Sequence, residues 1–236
     1  MKPAKGLRFL VATAALVLAL VAVGCTTVEN VTIRPPQYEG DSTTIFGEVE
    51  NHTAGYARGV RVKGSLFDAG GTVVDSPYFW VCPLVIKPYD TVVTGTYYSG
   101  KATIANYELH VESTPMEPVP DAALSISDLQ VIENEYGNLG IEGVITNTGT
   151  ESYEHISVCA AFYDASGKVD GFLFAFAPDV DPGQTASFDL SHSPLVEQGE
   201  PSSNAVTYRL WLEPFRNTCT GCTYKGYVST GKLPLR

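Results

Sequence analysis

The sequence predicts an all-β protein: two tandem antiparallel β-sandwiches that follow a cleaved leader. Three observations carry this. Apolar residues alternate with polar ones at a period of two, as in half-buried strands. A set of motifs occurs twice along the chain, and no amphipathic helical pattern appears anywhere in it. The 236 residues are 44% hydrophobic and 17% charged, which suits a folded chain. The 22 Gly and 15 Pro supply the many turns that short strands require.

The leader comes first. Lys2, Lys5 and Arg8 form a basic start, and Phe9 to Val23 carries no charge. That run has the length of a signal-peptide core and falls short of the roughly 20 residues a spanning helix needs. It ends at Ala22-Val23-Gly24-Cys25. Small residues directly before a cysteine resemble the lipobox of bacterial lipoproteins, with Ala22 where that motif usually has Leu. The resemblance implies cleavage after residue 24, lipidation at Cys25 and a lipid-anchored, extracytoplasmic location in the cell envelope. An ordinary signal peptide or short anchor is the plainer alternative.

The body repeats itself. Gly47-Glu48-Val49-Glu50-Asn51 matches Gly143-Val144-Ile145-Thr146-Asn147 at an offset of 96 residues, and Leu66-Phe67-Asp68 matches Phe162-Tyr163-Asp164 at the same offset. Lys87-Pro88 matches Asp181-Pro182 at 94, and Tyr107-Glu108-Leu109 matches Tyr208-Arg209-Leu210 at 101. Such drift is what loop-length differences produce. In the first copy Ile45, Gly47 and Val49 alternate with Phe46, Glu48 and Glu50. Val60, Val62, Gly64 and Leu66 alternate with Arg61, Lys63, Ser65 and Phe67. Each strand is thus expected to show an apolar and a mostly polar face. Asp68-Ala69-Gly70-Gly71 and Asp164-Ala165-Ser166-Gly167 are expected hairpin turns. Pro88 and Pro182 mark corners. Pro115, Pro118 and Pro120 make residues 115–121 an extended spacer between domains at 25–114 and 122–236.

The tail from Pro214 to Arg236 has no counterpart in the first copy. The outward positions Arg61, Lys63, Ser65 and Phe67 correspond to Ser157, Cys159, Ala161 and Tyr163, which carry no charge. A face that loses its charges is expected to be covered, and the tail, with Phe215, Tyr224, Tyr227 and Val228, is the expected cover, packing on the second sandwich as an added strand or strap.

The pattern of Gly-x-Val/Ile-x-Asn followed by an apolar strand, an aromatic-Asp pair and a turn glycine resembles the FxLYD-type family. Its carriers are Gly47, Val49, Asn51, Leu66, Phe67, Asp68 and Lys87-Pro88, then Gly143, Ile145, Asn147, Phe162, Tyr163, Asp164 and Pro182-Gly183. Gly64 and Ala160 stand where the family has its first aromatic. The resemblance implies small immunoglobulin-like β-sandwiches on exported or lipid-anchored proteins, and no particular activity.

Chemistry is sparse. Cys219-Thr220-Gly221-Cys222 has CxxC spacing, but Lys225-Gly226-Tyr227-Val228 offers no helix to lower a thiol pKa and no nearby His completes a zinc site. Cys219 and Cys222 are therefore a candidate disulfide, leaving Cys159 a buried thiol. A bond from either to Cys159 is the rival connectivity. His52, His110, His155 and His192 form no ligand spacing, and Asp179, Asp181 and Asp189 lack the pattern of a calcium loop. Asn30-Val31-Thr32 and Asn51-His52-Thr53 fit the glycosylation sequon, which means little beside a lipobox. Phosphate loops, nucleophile elbows and paired catalytic carboxylates are missing, so neither cofactor nor metal is expected. The aromatic runs Tyr78-Phe79-Trp80 and Phe172-Leu173-Phe174-Ala175-Phe176 occupy equivalent places in the copies. Consecutive large apolar residues in a strand face both ways. Tyr78, Phe79, Trp80, Phe172, Phe174 and Phe176 are therefore candidates for binding a partner, or are covered by the other domain or the tail.

The net charge of −11 disfavours nucleic acid and charge-driven adsorption to anionic lipid. Removing residues 1–24 deletes three basic charges and leaves −14. The expected function is binding or structural, without catalysis, with the membrane reached through lipid and a protein partner in the envelope. The alternative is a redox-active or metal-binding envelope protein using the CxxC pair.

Overall fold

The computed structural model describes residues 26–34, 42–100, 102–133, 137–191, 201, 204–215 and 228–234. It is all-β, of sandwich type, with antiparallel pairing throughout the strands and no helix among the described residues. The expected all-β, antiparallel sandwich-type class holds.

The N-terminal half contains β1 (Thr26–Arg34), β2 (Thr43–Asn51), β3 (Tyr56–Phe67), β4 (Val73–Asp75), β5 (Tyr78–Cys82), β6 (Val85–Ile86), β7 (Thr91–Tyr98) and β8 (Asn106–Met116). One side is β1-β2-β7. The other is built on β3, which pairs with β4, β6 and β8. β5 joins them, pairing with β3 through Tyr78 and Phe79 and with β7 through Trp80 to Cys82. The C-terminal half contains β9 (Leu124–Glu133), β10 (Leu139–Asn147), β11 (Glu154–Tyr163), β12 (Val169–Ala177), β13 (Thr185–Asp189), β14 (Thr207–Phe215) and β15 (Val228–Pro234). Its sheets run β13-β10-β9 and β12-β11-β14-β15. The neighbours β1-β2-β7 recur as β9-β10-β13, and β8-β3-β4 as β14-β11-β12. The sequence repeat is therefore also a repeat of pairing.

The repeated motif residues turn out to be backbone devices. Asn51 is buried, and its Nδ2 donates to the carbonyls of Gly55 at 2.8 Å and Lys87 at 3.0 Å. Asn147, also buried, donates to the carbonyls of Glu151 at 2.7 Å and Val180 at 2.9 Å. Each amide thus ties a strand end to two loops and satisfies backbone groups that burial would otherwise leave unpaired. Asp68 Oδ1 accepts the N–H of Gly70 and Thr72, and Asp164 Oδ1 accepts those of Ser166 and Lys168, closing the two expected hairpins.

Gly47 and Gly143 have a steric reason. Each faces a bulge in the neighbouring strand, where Asn30 and Asp128 take φ of 51° and 52°. A Cβ on Gly143 would lie 2.9 Å from Leu129 Cδ2, and one on Gly47 would lie 3.2 Å from Val31 Cγ2. The bulge turns a core side chain over the glycine.

Several expectations are corrected. β8 runs on through Pro115 and Met116, inside the expected spacer, because both still pair with β3, at Ala57 and Tyr56. The Phe46–Glu48 face of β2 is not a solvent face. Phe46 and Glu48 are both buried, because the C-terminal half lies against them. The uncharged outward face of β11 is covered as expected, but by the N-terminal half. Cys159, Ala161, Tyr163, Phe172 and Trp211 share one apolar cluster with Ile45, Phe46, Val62 and Val93. The tail does add a strand to the second sandwich, as expected, but β15 joins the sheet edge beside β14.

Candidate functional site: the seam and its groove

Registers show how the two halves meet. Phe46 sits opposite Gly95, Glu48 opposite Val93, and Trp80 and Cys82 oppose the same two β7 residues from the other side. Because partners across a ladder share a face, these residues form one surface. Across β12-β11-β14 the rows are Phe172-Ala161-Arg209, Phe174-Cys159-Trp211 and Phe176-Ser157-Glu213. The two surfaces make the seam. Gly95 permits the closest approach, since a Cβ there would lie 2.6 Å from Phe172 Cε1. The Phe172 ring meets Phe46 edge-on at 6.2 Å.

Covalent and polar ties fix the seam. Cys82 and Cys159 form a disulfide across it, with Cα atoms 6.3 Å apart. This corrects both connectivities considered for Cys159: it is neither a free thiol nor a partner of the tail cysteines. Cys25, Cys219, Cys222, Tyr224 and Tyr227 lie outside the described residues, as does His192. Arg34 pairs with Asp170 at 3.1 Å, and Arg209 pairs with Asp90 while donating to the Thr91 carbonyl at 2.9 Å. The Tyr163 hydroxyl donates to Glu48 Oε1 at 2.8 Å. Burial first, then the Glu48 charge, pushes that phenol well above its usual range, so it stays protonated as the donor.

Glu213 stands at one end of the seam. Its carboxyl accepts the N–H of Leu84 at 3.0 Å and of Val85 at 3.3 Å, both from the other half. Burial raises its pKa to about 7, against the lowering effect of those two bonds. Beside it the seam opens into a groove of about 310 Å³. Trp80, Val81, Cys82 and Leu84 line one side, and Phe172, Phe174 and Phe176 the other, with Ser157 and Glu213 as its polar groups.

The structure separates the aromatic candidates. Phe79 turns into the core and Phe172 into the seam, both buried. Tyr78 (60% exposed), Trp80 (47%) and Phe176 (61%) stay open, and Phe174 is half-buried at the groove wall. Trp80 meets Tyr97 edge-on at 5.3 Å, and Phe174 meets Phe176 edge-on at 4.9 Å, so the exposed rings are held rather than loose. Sequence reasoning missed Glu213 and the Cys82–Cys159 pair. An acid in an otherwise apolar strand (Leu210-Trp211-Leu212-Glu213) was the available signal for the former. Elsewhere, Glu29, Glu50 and His52 gather with Thr27. Glu29 faces one ring nitrogen of His52 at 3.5 Å and Glu50 the other at 3.6 Å, in solvent-exposed surroundings. A cluster of this kind assigns no metal site by itself.

Fold and site together define a disulfide-stapled, two-part β-sandwich protein with an aromatic groove at its seam. The chain matches no family model. It is 30% identical over 120 residues to uncharacterized protein MJ0360 of Methanocaldococcus jannaschii, an alignment spanning 51% of this chain and 79% of that protein. The chain therefore belongs to the same family as MJ0360. Among solved structures it is similar to red sea bream transglutaminase (11% identity, TM-score 0.27, 90% of this chain and 32% of that one). It is also similar to a calcium-binding mutant of Bacteroides uniformis beta-glucuronidase 2 (13%, 0.27, 86% and 28%). The chain spans about a third of the length of these structures, and likenesses at that score carry no argument about activity.

Proposed function

We propose that the protein is a lipid-anchored, extracytoplasmic binding protein that acts without catalysis, built from two immunoglobulin-like sandwiches of FxLYD type. The observation that carries this reading is the exposure of three large aromatics: Trp80 and Phe176, which line an apolar groove, and Tyr78, two residues from Trp80 on β5. Exposed aromatic clusters are characteristic of recognition surfaces. The seam disulfide suits an oxidising compartment. A body of −14 on a lipid tether would stand off an anionic bilayer and present this face to an envelope protein.

Two measurements test the reading. Mass spectrometry of the native N-terminus should find an acylated Cys25, and Cys25→Ser should release the protein or leave it unprocessed. A photocrosslinking residue at Tyr78 should give a discrete adduct in intact cells, while one at Gln130, exposed on β9 in the opposite sheet of the C-terminal half, should not. Equal labelling from both positions would contradict the assignment of the binding face.

A further inference from the structure

The groove combines aromatic walls with a single acid. Trp80, Phe174 and Phe176 present ring surface, Leu84 and Val81 complete the walls, and Glu213 is the one ionisable group among the lining residues. Its volume of about 310 Å³ lies at the small end for ligand sites, so the occupant is compact.

Charge narrows the class. An anionic ligand would be set against Glu213 inside a chain of net charge −11. A sugar would need several hydrogen-bonding groups, and the lining side chains offer only Ser157 and Glu213. A neutral hydrocarbon would close the groove over a buried carboxylate and supply nothing to offset its charge. A cation offsets it. Both carboxyl oxygens of Glu213 already accept backbone N–H groups, so the complementary cation is one without N–H donors to satisfy. Diffuse positive charge on a methylated nitrogen is also what aromatic faces attract, at about 2 kcal/mol or more where water is excluded.

We propose that the seam groove binds a small alkylammonium cation of the quaternary class, with its N-alkyl groups against Trp80, Phe174 and Phe176 and its charge toward Glu213. This rests on the groove being the binding face, and it names the chemistry that face selects.

The test uses the intact, oxidised chain and two probes of matched shape. Choline chloride carries the charge, and 3,3-dimethylbutan-1-ol is its neutral isostere. Calorimetric titration should show choline binding and the isostere about tenfold weaker or worse. Trp80→Ala, at a half-exposed position that leaves the core untouched, should weaken choline about tenfold. Glu213→Gln should do the same while its affinity for the isostere holds. Equal binding of the two probes, no binding of choline, or an unchanged Trp80→Ala titration would overturn the proposal. Sedimentation showing a dimer that Trp80→Ala disperses would assign the groove to a second copy and overturn it as well. If choline fails while Tyr78 crosslinks persist, the cation is wrong and the partner face stands. Lost crosslinks with choline binding intact would mean the reverse.

Discussion

β3 and β11 are the same strand of the repeat, and they meet different fates. On β3 the outward residues Arg61 and Lys63 are exposed, and burial alternates along the strand. On β11 every residue from Ile156 to Tyr163 is buried. Its inward set, Ile156, Val158, Ala160 and Phe162, belongs to the C-terminal core, while Cys159, Ala161 and Tyr163 join the N-terminal cluster. Duplication thus produced two frames with equivalent hydrogen bonding. What differentiates them is the outer face, which in one copy kept its charges and in the other became half of a seam.

The largest expected effect comes from the staple. Cys82 and Cys159 are separated by 77 residues, so removing the bond releases a long loop in the unfolded chain. By the loop-entropy estimate the double variant Cys82→Ala/Cys159→Ala loses about 4 kcal/mol. Thermal unfolding with and without reductant should show a matching drop for the native chain and none for the variant. An unchanged melt on reduction would mean the seam needs no covalent tie.

Glu213 gives the next effect, and its direction is set by burial. Its carboxyl has a pKa of about 7 in the folded chain, above an ordinary value of 4.5. The protonated form is therefore favoured on folding. That contribution is complete below about pH 4.5 and is lost as pH rises through 7. Glu213→Gln should flatten this slope and leave the variant more stable than the native chain at pH 8, by up to about 3 kcal/mol. Denaturant titrations at pH 4.5 and pH 8 check it, and a parallel pH dependence in both proteins would remove Glu213 from the account.

Gly95→Ala probes the closest approach. The new Cβ would press on Phe172, and Ile45 O lies 3.3 Å away on the backbone side, so the seam must open or shift. A loss of about 1–3 kcal/mol is expected, as for overpacked cores. Lys63→Ala on the exposed face of β3 sharpens the contrast, with a change within about 0.5 kcal/mol. Comparable losses at both positions would erase the distinction between the two faces.

The parts legible in the sequence were local ones. Asp68 and Asp164 close their hairpins with bonds to residues two and four positions on, and turn chemistry of that range is written in consecutive letters. The repeated Gly and Asn positions announced the duplication, although their purpose, a bulge and a two-loop tie, needed three dimensions. The loss of charge at Ser157, Cys159 and Ala161 signalled a covered face, but alternation describes one strand at a time and does not say what lies across it. For the same reason Phe46 and Glu48 were expected on a polar face, when Glu48 in fact holds a hydrogen bond 115 residues away in sequence with Tyr163. The groove was half-visible as two aromatic runs. Its acid was not, because Glu213 lies far from both in sequence.

The seam is the central claim, and the pairing of Cys159 tests it most directly. Proteolytic digestion of the non-reduced protein, followed by mass spectrometry, should yield one peptide pair joined through Cys82 and Cys159 that separates on reduction. A Cys159 found as a free thiol, or joined to Cys219 or Cys222, would contradict the contact between the halves on which the groove depends.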